Sequence, residues 1–255
     1  MRIAVLADVH GNLPALRAVL AELDAEPVDA IVVAGDVVGG PQPLEALHTL
    51  VSRHESVHWI AGNCEREAVA AYDGAPTTDD EPGRAAAWTA KALDGRWRDA
   101  LVSWPIAATL DGVLFCHGSP RRDDEVLTRS TPDDVLAAAL KGVAAPLVVG
   151  GHTHQQVVRS LRTGEPTYVN AGSVGLPYEG RPGAFWALVV DRVPELRATA
   201  YDVDAAAREL RATGFPDADG MVAECLLSPV DPAWVTAFFE HGAGRGDDPG
   251  DPPER

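Results

Sequence analysis

Positive charge is what this chain has least of. Its 255 residues carry 38 Asp and Glu against 21 Lys and Arg, a formal net charge of -17 at pH 7. Neutralising phosphates requires clustered cations, so the balance argues against a nucleic-acid duplex and against an anionic membrane surface as partners. Cysteine is scarce too. Cys64, Cys116 and Cys225 are too few and too scattered for a disulfide framework, which points to a reducing, cytoplasmic compartment. No apolar stretch approaches the roughly 18 residues of a membrane span, and the opening run ends at Asp8 where a secretory signal would place a cleavage site. There is no internal repeat. What remains is an ordinary globular composition, 46% hydrophobic and 23% charged, able to bury a core.

The apolar runs are short and punctuated. Residues 3–7 form a continuous run with β-branched members, and Leu13, Leu16, Val19, Leu20 and Leu23 then recur at helical spacing behind Asn12 as N-cap and Pro14 in the first turn. Residues 30–34 and 57–61 are two further runs, the first followed by a helical pattern over 44–51. Three strand–loop–helix units in succession predict an α/β fold with a parallel sheet. Residues 73–84, rich in Asp, Pro, Gly and Thr, read as a surface loop, and 85–101 as two helices broken at Asp94-Gly95. Asp111-Gly112 marks a hairpin between 107–110 and 113–116. A helix is expected over 131–140 and strands at 147–149, 167–170, 184–190 and 195–200, so that the later part is more antiparallel. Residues 204–213 and 231–240 read as helical, and 242–255 as a disordered acidic tail.

Five of the runs end in a residue able to ligate a metal. The first ends in Asp8-Val9-His10, the second in Asp36, the third in Asn63, the second hairpin arm in His117, and the run at 147–151 in His152 and His154. Taken singly, each has a structural explanation: Asp8 or Asp36 as a helix cap, Asn63 as a turn residue, His117 as a hydrogen-bonded core histidine. Seven together at strand ends are another matter, because burying carboxylates and imidazoles in one place without a cation is very costly. Two carboxylates, one amide oxygen and four imidazoles are too many for one tetrahedral zinc and suit two adjacent cations that share a carboxylate. The donor types fit Mn, Fe, Zn or Ni without selecting among them.

In order and spacing, Asp8-Val9-His10-Gly11-Asn12, Gly35-Asp36, Gly62-Asn63, His117-Gly118 and Gly151-His152-Thr153-His154 resemble the calcineurin-like metallophosphoesterases. The stretches Gly62-Asn63-Cys64 and Asn170-Ala171-Gly172-Ser173-Val174-Gly175 are more similar to the small bacterial phosphodiesterases than to the protein phosphatases. The resemblance implies a two-sheet β-sandwich core flanked by helices over residues 1–201, which leaves 202–241 as a C-terminal helical appendage. It implies a dinuclear site, with Asp8, His10, Asp36 and His154 on one divalent ion, Asp36, Asn63, His117 and His152 on the other, and Asp36 bridging. Asp36, His10 and Asn63 are then the catalytic residues. The implied reaction is hydrolysis of small organic or nucleotide phosphodiesters by a hydroxide that bridges the two ions.

One position departs from the protein-phosphatase pattern. Those members carry a histidine directly after the asparagine, to which similarity assigns protonation of the leaving group, and here that position is Cys64. A thiol beside two cations tends to lose its proton and is a poor replacement acid. Leaving groups that depart without a proton, such as aryl groups, are therefore expected, with His10 as the other proton carrier. Substrate contacts are expected from Asn12, Arg66 and Tyr178, the last as a stacking surface where relatives carry arginine, and Arg121 and Arg122 are further cations near the site. Two alternatives stand beside this reading. One is a phosphomonoesterase acting on protein phosphoserine/threonine or dinucleoside polyphosphates, against which the missing histidine weighs. The other is a non-catalytic scaffold, whose signature would be lost ligands. Self-association is left open by the sequence.

Overall fold

Strand β1 (Arg2–Leu6), helix α1 (Leu13–Ala25), strand β2 (Ala30–Ala34), helix α2 (Pro43–Val51), strand β3 (Ser56–Ile60) and helix α3 (Asn63–Tyr72) follow one another in the computed structural model, which describes residues 1–162 and 164–252. Residues 253–255, the end of the expected tail, lie outside the described residues. Asn12 caps α1, its side chain accepting from the Ala15 amide at 3.1 Å, and the stripe Leu13, Leu16, Val19, Leu20 and Leu23 is buried. That stripe packs on Ala4, Leu6, Ile31 and Val33, while the alternate residues Ile3, Val5, Ala7, Val32 and Ala34 belong to a separate buried layer on the opposite face. The period of two in a strand is what divides them.

The middle of the chain supplies α4 (Glu81–Ala92), α5 (Gly95–Ser103), β4 (Ala107–Leu110), β5 (Val113–Cys116), α6 (Asp133–Ala139), β6 (Leu147–Gly150), β7 (Val157–Ser160) and β8 (Thr167–Asn170). These strands form a second five-stranded sheet in the order β4-β5-β6-β8-β7. The chain then returns to the first sheet with β9 (Ala184–Val190) and β10 (Val193–Thr199), giving the order β10-β9-β1-β2-β3, in which β9 pairs antiparallel with both β1 and β10. Val113, Phe115, Leu147, Val149 and Val169 of the second sheet meet the inner layer of the first. Its outer face, with Val148 and Tyr168, is covered by Leu136 and Ala139 of α6. The result is helix, sheet, sheet, helix, with parallel pairs β1-β2, β2-β3, β5-β6 and β6-β8 at its centre. Helices α7 (Val203–Arg211), α8 (Ala218–Val222), a π-helical turn (Ala223–Leu227) and α9 (Pro232–Gly242) close the chain. Among the described residues no helix is long and apolar enough to cross a membrane.

Three local readings are corrected. The loop expected over 73–84 ends early, because Asp80 caps α4 by accepting from the Gly83 amide at 3.0 Å and Pro82 sits in the first turn. Strand β7 was not expected from its four residues; it is an edge strand whose burial alternates. The helical segment from Ala218 to Leu227 was hidden by Gly220 and the neighbouring Asp residues, and its core contacts come from Val222, Cys225 and Leu226 packed on α7.

Candidate metal centre

The loops that follow β1 and β2 run side by side, with the Asp8 amide donating to Gly35 O at 3.0 Å and the His10 amide to Asp36 O at 2.9 Å. Those after β5 and β6 are joined in the same way, the Gly151 amide donating to His117 O at 2.9 Å. Five of the seven expected donors, Asp8, His10, Asp36, His152 and His154, have positive φ between 45° and 71°. Non-glycine residues adopt that region at a cost of about 1–3 kcal/mol each and cluster in it at functional sites. Close approach demands glycine at two neighbouring positions. A Cβ on Gly62 would lie 2.1 Å from Asp36 Oδ1, and one on Gly151 would lie 2.4 Å from Asp8 Oδ2.

The side chains converge at the rim where these strands end. His154 Nε2 is 3.1 Å from Asp8 Oδ1 and 3.2 Å from His10 Nε2, and His117 Nε2 is 3.2 Å from Asp36 Oδ2. Asp8, His10 and His154 form one group whose ligand atoms lie within 4.8 Å of one another; Asp36, His117 and His152 form a second. His10 and Asp36 form a third such group with Cys64. Each anchored donor is aimed by a contact on its far side. His117 Nδ1 meets Ala34 O at 2.8 Å, His154 Nδ1 meets Leu176 O at 2.7 Å, and His10 Nδ1 meets Gly39 O at 3.4 Å, which leaves the Nε2 atoms facing one another. Asp8 Oδ2 accepts the His152 amide at 2.9 Å and Asp36 Oδ1 the Cys64 amide at 2.8 Å, so that Asp8 Oδ1 and Asp36 Oδ2 face inward.

This donor set fits divalent metal. Asn63 Oδ1 and His117 Nε2 are buried without a hydrogen-bond partner, the second touching Asp36 only as an ion pair. Lone pairs turned inward among carboxylates call for a cation. Burial and neighbouring charges act on these side chains unequally. Burial lowers His10 to about 4, helped by His154, and lowers His152 to about 4, helped by His117. Burial would lower His117 as well, but Asp36 and Asp8 outweigh it and raise that imidazole to about 10. Both carboxylates are held below their ordinary value despite burial, Asp8 by His154 and His117, Asp36 by His117.

A residue without a part in the sequence reading organises these loops. Glu65, almost fully buried, accepts the amides of Asp36, Val37 and Gly62 at 2.8 Å each and that of Val38 at 3.3 Å. Burial, then Asp36, pushes its carboxyl up to about 7 while the Gly62 and Asp36 amides pull against them. Four donors and no acceptor favour the carboxylate. At the third position of α3 its side chain accepts the amide of the N-cap residue Gly62, the half of a capping box that needs no side chain on the cap, so the sequence carries no Ser or Thr to announce it. The 170–175 stretch clamps the other loops: Asn170 Nδ2 donates to Gly151 O and to Thr153 Oγ1, and Ser173 Oγ donates to Asp8 O at 2.7 Å.

Of the expected substrate contacts, Tyr178 lines the cavity above the centre, its ring stacked on His154 with centroids 5.0 Å apart. The other two are turned elsewhere. Asn12 is fully buried, donates to Gly175 O at 2.9 Å, caps α1 with its oxygen and is not among the residues that line the cavity. Arg66 is held by Asp123 at 2.7 and 3.2 Å and does not line the cavity; Arg121 and Arg122 are paired with Glu125 and Asp124. Cys64 lines the cavity, with its thiol pushed well up by burial and then by Asp36. The cavity, about 230 Å³, also takes Glu67, Glu81, Phe215, Met221 and Phe239, none of which the sequence had marked.

Inward-facing carboxylates and imidazoles at the carboxyl ends of strands from two packed sheets form a site that could hold metal in an α/β fold. The chain belongs to the calcineurin-like phosphoesterase superfamily, whose domain model matches residues 1–192, and is accordingly a metallophosphoesterase, a hydrolase of phosphate esters. It is 25% identical to a metallophosphoesterase from Sphaerobacter thermophilus whose crystal structure superposes with a TM-score of 0.71, covering 89% of this chain and 99% of that one. A hypothetical protein from Pyrococcus horikoshii, 20% identical, shares the fold with a TM-score of 0.75 over 88% of this chain and 97% of its own. An uncharacterized protein of Methanocaldococcus jannaschii is 26% identical over 237 residues, 84% of this chain and 94% of its own length.

Proposed function

We propose that the chain hydrolyses small organic or nucleotide phosphodiesters with two divalent ions, held by Asp8, His10, Asp36 and His154 on one side and by Asp36, Asn63, His117 and His152 on the other. The observation that carries this reading is the pair of donor groups, one around Asp8 and one around Asp36, meeting on the floor of a single cavity. When bound, two such ions neutralise phosphoryl oxygens and acidify a water that attacks in line. The chain's own part is positional. The Cys64 amide fixes Asp36 so that Oδ2 faces both His117 and His10, at 3.2 and 3.8 Å. His10, whose Nδ1 contact is the longest of the three anchored imidazoles, is the least firmly held of them, and it carries a proton at Nε2 only when that nitrogen is released from the ion. Cys64 lines the cavity where protein phosphatases place a histidine and offers only a thiol there, which favours ester groups that leave unprotonated.

The scaffold alternative is weakened by the retention of all seven donor residues, five of them at positive φ and all but Asn63 in converging groups. The test is an assay of protein reconstituted with Mn, Fe, Zn or Ni on aryl diesters, cyclic nucleotides, alkyl diesters and monoesters, beside Asp36→Asn and His152→Ala. Aryl diesters should turn over fastest, and both variants should lose at least about a hundredfold in rate. Undiminished activity of Asp36→Asn in every metal would sink the two-ion reading, and comparable rates on alkyl and aryl diesters would remove the leaving-group preference.

A further inference from the structure

We infer that the outer wall of the cavity is a subsite for a flat, uncharged ester arm, so that the substrate is a monoanionic phosphodiester bearing an aromatic or apolar group. The inference rests on the phosphodiesterase reading above and narrows it. Charge is its first support. No Lys or Arg is among the described residues that line the cavity, and the charged side chains there outside the donor set are Glu67 and Glu81. The arginines next in the chain to lining residues are closed off, Arg66 on Asp123 and Arg84 on Asp217, each through two hydrogen bonds. A monoester dianion or a polyphosphate would bring further negative charge toward two carboxylates with no side-chain cation to meet it. A diester brings one charge, and the metal centre meets that.

Ring geometry is the second support. Tyr178 stacks on His154 with an interplanar angle of 17°, and the Phe239 centroid stands 6.4 Å from that of His152 and 6.3 Å from that of Tyr178. Both rings therefore lie against imidazoles of the centre, where a group esterified to phosphorus would extend. Phe215 and Met221, from the C-terminal helical segment, complete an apolar wall, with Phe215 braced edge-on against Trp88 at 5.9 Å. Aromatic faces and an adaptable thioether suit a planar guest rather than a polyol or a peptide. Phe238, beside Phe239 in the chain, is exposed, stacked on Trp234 and outside the cavity while meeting Phe239 edge-on at 6.2 Å, so its removal tests a neighbour of the wall that does not itself line it.

Calorimetry on the Mn-loaded protein separates the arm from the anion. Diphenylphosphinate and dimethylphosphinate are both monoanions without a cleavable ester, and phenylphosphonate adds a second charge. The phenyl pair should bind about tenfold tighter than the methyl pair, the scale of a buried aromatic contact, and phenylphosphonate should bind more weakly than diphenylphosphinate. Phe239→Ala should close the gap to within about threefold, Phe239→Leu should close part of it while keeping the packing volume, and Phe238→Ala should leave it unchanged. Equal affinity for the two phosphinates, or a gap that neither Phe239 variant moves, would overturn the inference. Diesterase activity with no gap rejects the subsite alone; a gap in a protein that cleaves no diester rejects the phosphodiesterase reading and keeps the subsite.

Discussion

Replacing Glu65 by Gln is the sharpest probe of how the centre is held. The side chain stays the same size, so no cavity is made, but one carboxylate oxygen becomes an NH2 group. Oε1 now accepts from Val37 and Val38 and Oε2 from Asp36 and Gly62, so whichever way the amide turns, two backbone donors lose their acceptor and face another donor instead. Hydrogen bonds to a charged acceptor contribute about 1.5–3 kcal/mol each, so two lost bonds amount to about 3–6 kcal/mol in a site almost closed to water. That is a large part of the roughly 5–15 kcal/mol a domain of this kind has in total. Urea unfolding monitored by circular dichroism should show the loss as a lower midpoint at unchanged slope. Metal affinity should fall with it, because the Asp36 loop and the start of α3 are both released. A loss below about 1 kcal/mol with full metal affinity would mean that the loops hold their shape without Glu65, and the argument from its four donors would be wrong.

Three further outcomes are expected. Without metal, His10 and His152 fold with values lowered to about 4 against 6.5 in the unfolded chain, so the unfolded state binds more protons between those values and stability falls on acidification; His117, raised to about 10, contributes below 6.5 and is lost as pH rises. Chelator-treated protein should therefore be most stable near pH 6.5, with a slope of about 1.4 kcal/mol per pH unit for each titrating group, and metal uptake at neutral pH should release about one proton from His117, read by calorimetry in buffers of different ionisation enthalpy. A flat stability profile from about pH 5 to 9 would contradict this. Asn12→Ala removes an N-cap and a bond to Gly175 O, and should lower stability by about 2–3 kcal/mol on thermal unfolding while leaving the aryl-diester Michaelis constant unchanged; a raised constant at full stability would restore Asn12 as a substrate contact.

The strands and the convergence of Asp8, His10, Asp36, His117, His152 and His154 were legible because their signal is local. Each donor follows an apolar run and has a glycine within reach, and both features lie within a few residues of chain. Glu65 was not, since its function exists only once the 36–38 segment and Gly62 are brought around it. The apolar wall was invisible for a related reason: Phe215, Met221 and Phe239 carry the same sequence pattern whether they fill a core or face a cavity, and only their meeting around one cavity distinguishes the two. Arg66 was ambiguous in the sequence because a cation near a ligand loop is an equally good partner for phosphate and for a carboxylate, and in the structure it is paired with Asp123.

Position within the two sheets gives the donors a second consequence. Asp8 and Asp36 hang from the first sheet, His117, His152 and His154 from the second, and His10 faces His154 across 144 residues of chain. An ion held by both sides is a cross-link that joins the two halves of the sandwich and closes a loop longer than most disulfides do. By chain entropy alone such a tie disfavours the unfolded ensemble by several kcal/mol, on the order of 4–5 for a loop of this length. The two sheets should then melt together when loaded and be free to separate their transitions when stripped, so that cooperativity of unfolding becomes a measure of metal occupancy.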